Sequence, residues 1–153
     1  MKYLLIDTAN TFFRARHSAY RAASPEEKVA FAMHVTLASI NKCWRDQQAN
    51  HVIFCLEGRS WRKDFYEPYK KNRTVARQAL TETEAEEDKM FWEAFDNINQ
   101  FVKEKTNCTT LQHPNLEADD LIAGWIQSHP NDEHVIVSSD SDFYQLLAEN
   151  VNQ

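Results

Sequence analysis

The chain has 153 residues, 42% hydrophobic and 26% charged, with a formal net charge of −6. That length and apolar content support one domain with a real core and exclude a disordered polyelectrolyte. Two glycines leave no glycine-rich phosphate loop, and the negative balance argues against a generic nucleic-acid binder unless the basic residues are gathered in one place.

Lys2 to Ile6 reads as a buried strand stopped by Asp7; the apolar run is too short for a signal peptide or a membrane span. A polar-aromatic segment follows from Thr8 to Tyr20. Ser24-Pro25-Glu26-Glu27 is a helix start, with Ser as N-cap, Pro at the first position and acids in the first turn. That helix should run to about Gln47. His51 to Leu56 is a second apolar strand, ended by Glu57-Gly58. A long helix is predicted from Thr81 to about Lys105, with Phe91, Phe95, Ile98 and Val102 on one face. Cys108 to Leu111 gives a short strand, Glu117 to about Ser128 a helix, Val135 to Val137 a strand, and Ser141 to Ala148 a helix. Strands that are continuous apolar runs and alternate with helices predict an α/β fold, a parallel central sheet flanked by helices. Trp44, Trp92 and Trp125 fall at helical positions that fit core packing. The six histidines are scattered and read as structural. Three widely spaced cysteines, Cys43, Cys55 and Cys108, form no Cys-x-x-Cys pair. They speak against structural zinc and for a reducing, cytosolic compartment.

In open α/β sheets, sites form at the carboxyl ends of the strands. Asp7 and Glu57 end the first two strands, Asp140 and Asp142 follow the strand at Val135, and Glu117, Asp119 and Asp120 open a helix. A parallel sheet would bring all seven acids to one edge. Each alone also reads as a helix cap or first-turn acid. Together they repel by roughly 4 kcal/mol per close pair at intermediate dielectric, and no Lys or Arg follows Lys105. A divalent cation is the simplest relief, and an all-oxygen set suits Mg²⁺ or Mn²⁺.

The opposite charge lies in RSWRKDFYEPYKKNRTVAR, Arg59 to Arg77. Arg59, Arg62, Lys63, Lys70, Lys71, Arg73 and Arg77 stand there against Asp64 and Glu67, with Trp61, Phe65, Tyr66 and Tyr69 interleaved. Basic side chains with aromatics suit phosphates and splayed bases; the same pattern also fits a solvated face with its aromatics turned inward. A basic clamp beside a carboxylate metal cluster points to phosphodiester hydrolysis of a nucleic acid.

Several motifs carry a family resemblance. LLIDTANTFFRA is similar to the first-strand motif of the 5′-nuclease family, which includes flap endonucleases and the 5′-exonuclease domains of bacterial DNA polymerases. FCLEGRSWRKDFYEPYKKNR resembles the family's second-strand acid followed by Arg and then Tyr-Lys-x-Asn-Arg. LEADDLIA is similar to its Glu-Ala-Asp-Asp helix start, and VSSDSDFYQLL to its strand-end Asp-x-Asp. The motifs occur in the family's order from about Lys2 to Leu147, and the look is nearest to bacteriophage members with 5′-exonuclease and RNase H activity. The resemblance implies a PIN-like domain in which Asp7, Glu57, Glu117, Asp119, Asp140 and Asp142 hold two Mg²⁺ or Mn²⁺ ions or their waters, with Asp120 as a supporting acid. It implies that Lys70 reaches the scissile phosphate and that Arg73 lies near it. The segment from about Tyr66 to Glu87 would be the helical arch that guides a single-stranded 5′ end. Phe12 and Phe13 match no base-stacking residue and are read as core.

Two departures stand out. Glu57 occupies a position where the family usually has Asp. The family also continues past the point matched by Gln153, with a further strand, two more aspartates and a helix–three-turn–helix unit that grips duplex DNA. The expectation is therefore an N-terminal catalytic domain over residues 1–153, as a fragment, as half of a split protein that needs a separate C-terminal domain, or as a degenerate binding member. The implied activity is metal-dependent 5′-3′ exonuclease or flap endonuclease action on branched or 5′-ended DNA, or on RNA in RNA–DNA hybrids, in replication or repair. It would take place in the cytoplasm, the host's if the source is viral, without a membrane. The alternatives are a PIN-like RNase, a phosphatase of similar build, and a non-catalytic nucleic-acid-binding module.

Overall fold

The computed structural model describes residues 1–18, 24–58 and 81–153. Among them five parallel strands, β1 (Lys2–Asp7), β2 (His51–Cys55), β3 (Thr109–Leu111), β4 (Glu133–Val137) and β5 (Val151–Asn152), lie in the order β3-β2-β1-β4-β5. The helices are α1 (Thr8–Ser18), α2 (Pro25–Gln47), α3 (Glu82–Lys105) and α4 (Ala118–Ser128), with a 3-10 helix over Ser141–Leu146.

The strands read as unbroken apolar runs because both faces of the sheet are covered. Side chains alternate across each strand, so Leu4, Ile6, Val52, Phe54, Val135 and Val137 enter one core while Tyr3, Leu5, Ile53, Cys55 and Ile136 enter the other. The first core is closed by α1, α2 and α3, through Phe12, Ala32, Ile40, Phe91, Phe95, Ile98 and Val102. The second is closed by Ala118 and Ile122 of α4 and by Phe143. The expected apolar face of the long helix is thus the buried one.

The Ser24 cap is as read from the sequence, and Thr81, read as the start of the long helix, is also an N-cap. Ser24 Oγ accepts from Glu27 N–H at 3.2 Å and Thr81 Oγ1 from Glu84 N–H at 3.2 Å. The helix expected over Ser141 to Ala148 is instead a 3-10 turn ending at Leu146. Asp140 Oδ1 takes the Asp142 N–H, and Leu147 N–H bonds Tyr144 three residues back, so the tighter ladder wins over this short stretch. Trp44 is 44% exposed, not core, whereas Trp92 and Trp125 pack against the two cores.

The segment after Asp7 is helical, which its composition concealed. Thr8, Thr11, Phe12 and Ala15 are buried at helical spacing, but only one of them is large and apolar. Phe12 is 1% exposed and sits 6.0 and 5.5 Å, centroid to centroid, from Phe91 and Phe95. Arg16 adds an ion pair to Asp88 at 2.6 Å and lies 4.3 Å above the Phe91 ring. These contacts join α1 to α3. Phe12→Ala should therefore lower stability by about 3–5 kcal/mol, read as the shift in a urea unfolding curve. Phe13→Ala, which truncates a ring that is only partly buried, should cost clearly less.

Candidate metal centre

The register of the sheet decides which side chains meet. Asp7 pairs with Cys55 of β2, and Ile6 pairs with Val137 of β4. Asp7, the exit from β2 at Glu57 and the turn at Ser138 therefore leave the sheet at one edge. The chain runs from β1 outward to β2 and β3, then returns to place β4 on the other side of β1. This reversal is the switch point at which open sheets form their crevices.

On the β4 side the junction is Ser138. Its hydroxyl donates to Asp7 Oδ2 at 2.8 Å and accepts the Asp140 N–H at 3.1 Å. Asp7 is buried at 6% exposure, so an acid at the heart of the sheet is tied directly to the turn that carries Asp140. Ser139 donates its N–H and its hydroxyl to Asn10 Oδ1, at 3.0 and 3.2 Å. Asp142 stands further out: it is exposed, and its N–H donates to Asp140 Oδ1 at 2.9 Å.

On the β2 side Glu117, Asp119 and Asp120 present carboxylate oxygens within 4.8 Å of one another, with Glu117 at 3% exposure. Glu57 reaches the same helix start, its Oε2 accepting the Ala118 N–H at 3.3 Å. This bond links the β2 exit to the start of α4. Part of the negative charge also serves the backbone. Asp120 Oδ2 accepts from Glu117 N–H and Asp119 Oδ1 from Asp120 N–H, each at 3.1 Å, at the end of α4 where its dipole favours anions. The seven acids thus fall into two groups, Asp7 with Asp140 and Asp142, and Glu57 with Glu117, Asp119 and Asp120.

Gly58 makes the second group possible. Its N–H donates to Leu116 O at 2.8 Å, and a Cβ there would lie 1.9 Å from His113 O and 2.7 Å from Leu116 O. The loop that delivers Glu117 can press against the β2 exit only because position 58 has no side chain.

The donor set is oxygen throughout. Cys55 lies between the acids, but burial, with the Asp7 and Glu57 charges beside it, pushes its thiol up to about 12, so it stays protonated and is no thiolate ligand. Hard carboxylates of this kind fit Mg²⁺ or Mn²⁺. Arg59, Arg62, Lys63, Lys70, Lys71, Arg73 and Arg77 lie outside the described residues, as does most of the segment expected as an arch; its last residues, from Glu82, form the first turn of α3. Sequence reasoning missed Ser138, Asn10 and Gly58. The only signal was proximity in sequence to an acid at a strand end: Gly58 follows Glu57, Asn10 comes three residues after Asp7, and Ser138 two before Asp140.

Two outcomes follow. Gly58→Ala should destabilise by about 3 kcal/mol or more, because the clash is with backbone, while Gly124→Ala, an exposed position in α4 where a Cβ meets nothing within 4 Å, should stabilise by roughly 0.5–1 kcal/mol; urea unfolding of both variants checks the contrast. In the folded protein Cys43 and Cys108, which are partly exposed, should react with a disulfide reagent at pH 8, and Cys55 only after unfolding. Since its folded pKa is raised, the stability that Cys55 confers as a neutral thiol is present below about pH 8.5 and is lost as pH rises toward about 12.

The comparisons with known proteins agree with this architecture. The chain is 30% identical to the flap endonuclease Xni of Pseudoalteromonas translucida, over 97% of this chain and 55% of that protein, so it spans about half the length of the curated relatives it matches. It is 33% identical to the DNA polymerase I of Rhizobium leguminosarum over 66% of this chain and 9% of that protein. Among solved structures, the T5 5′-exonuclease with bound zinc ions superposes with a TM-score of 0.80 at 23% identity, over 99% of this chain and 54% of that one. A bacteriophage T5 flap endonuclease variant, in a pseudo-enzyme–product complex with DNA and metal ions, gives a TM-score of 0.75 at 23% identity, over 99% and 53%. Residues 2–153 match the family described as 5′-3′ exonuclease, N-terminal resolvase-like domain, and the chain belongs to that family.

Proposed function

We propose that the chain carries the catalytic half of a metal-dependent 5′-nuclease, which hydrolyses phosphodiester bonds in 5′-ended or branched DNA, or in the RNA strand of a hybrid. The observation that carries this reading is the meeting of the buried Asp7 with the Asp140 turn through Ser138, beside the Glu117, Asp119 and Asp120 cluster, at the switch point of a parallel sheet. It is supported by membership of the 5′-3′ exonuclease family and by relatives named as flap endonucleases.

Divalent ions held by these acids would supply the positive charge that draws a phosphodiester and a water together and offsets charge on the leaving oxygen. The protein's own contribution is to fix the ligands. Ser138 orients Asp7 and Asp140, and α4 presents Glu117, Asp119 and Asp120 from its positive end. Lys70 and Arg73 are assigned to the scissile phosphate, and Arg59, Arg62, Lys63, Lys71 and Arg77 to the backbone of the entering strand. A phosphatase would have no use for so long a basic and aromatic segment.

The test is cleavage of a 5′-labelled flap and a nicked duplex with Mg²⁺ or Mn²⁺ and with chelator. Metal-dependent cutting should fall by at least about 100-fold in Asp140→Asn and in Lys70→Ala. Cutting that survives chelator would overturn the reading. DNA binding without cutting, unchanged by Asp119→Asn, would favour a non-catalytic module instead.

A further inference from the structure

The turn that carries Asp140 has no strand ladder, and its helical bond, Phe143 N–H to Asp140 O, is long at 3.4 Å, yet its backbone groups are held from several sides. Ser138 Oγ takes the Asp140 N–H, Asn10 takes the Ser139 N–H, and Asp140 Oδ1 takes the Asp142 N–H. The Ser138 and Asp140 carbonyls are also met by a residue outside every motif singled out above. Gln153 Nε2 donates to Ser138 O at 3.0 Å and to Asp140 O at 2.8 Å. A primary amide nitrogen carries two hydrogens, one for each carbonyl, so a single side chain closes the turn from residue 138 to residue 140. The reach is set by the sheet. β5 pairs with β4 in the register His134 with Val151 and Val135 with Asn152, which leaves Gln153 level with Ile136, two residues before Ser138, and able to lean along the strand onto the turn.

We infer that Gln153 is a positioning residue for the metal centre, clamping the Ser138 and Asp140 carbonyls so that the Asp140 carboxylate and the Ser138 hydroxyl are held toward Asp7. The inference rests on the reading of Asp7 and Asp140 as metal ligands. It also gives the short edge strand β5 a role in the site, because its pairing with β4 delivers the clamp.

The experiment compares the unchanged chain with Gln153→Ala, Gln153→Glu and Gln153→Arg. The Glu variant keeps the length and loses both donors; the Arg variant keeps donors in a planar fork. Three quantities are read: amide hydrogen exchange at Asp140 and Asp142 by NMR without metal, Mn²⁺ affinity by calorimetry, and Tm. Ala and Glu should speed exchange at both amides and weaken Mn²⁺ binding roughly tenfold, the usual effect of removing a group that orients a ligand. Tm should move by no more than about 2 °C because Gln153 is exposed. Arg should restore slow exchange. Unchanged exchange in Ala and Glu would overturn the clamp, as would unchanged Mn²⁺ affinity. A parent chain that binds no Mn²⁺ would instead overturn the metal reading, and the metal-free exchange data would still decide whether Gln153 holds the turn.

Discussion

Every feature of the site depends on the parallel pairing of β1 with β2 on one side and β4 on the other. Parallel neighbours cannot be joined by tight turns; each strand must end at the same edge and hand the chain to a crossover. That geometry puts Asp7, the Glu57 exit, the Ser138–Asp140 turn and the start of α4 at one rim of the molecule. It also sets the electrostatic problem, since acids brought so close repel unless something opposite in sign lies among them. The backbone supplies part of the answer. Asp119, Asp120 and Asp140 each accept an N–H at the start of a helix, where partial positive charge is concentrated. An all-oxygen set of this kind also suits a divalent ion.

The centre is built in two halves, and each depends on a residue without charge. Ser138 links Asp7 to Asp140 across the β1 and β4 ends. Gly58 lets the loop before Glu117 settle on the β2 exit, so that Glu57 reaches the Ala118 N–H. A site made of acids alone would have neither the orientation nor the close approach.

Much of this was legible in the sequence, for physical reasons. Both faces of the sheet are buried, so β1, β2 and β4 appear as apolar runs, Ser24 announces α2 by cap chemistry, and α3 shows itself by its apolar face. The helix α1 was not legible, because its buried face is built mostly of Thr and Ala, which give little periodic contrast. Nor was β5, since two residues cannot show an alternation. At the site the acids were legible because charge at a strand end is conspicuous and because their motifs resemble a known family. Ser138 and Asn10 were not. They act through contacts spanning more than a hundred positions of chain, as in Ser138 to Asp7 and Ser139 to Asn10, and a neutral side chain carries no mark of such a partner.

The central claim is that these two groups of acids hold divalent cations. Crystals of the chain grown with Mn²⁺ and measured for anomalous scattering test it most directly. The account predicts anomalous peaks about 2.0–2.6 Å from carboxylate oxygens, beside Glu117 and Asp119 and beside Asp7 and Asp140. Crystals saturated with Mn²⁺ that show no peak at either group, with the acids held by the protein's own lysines and arginines instead, would contradict it.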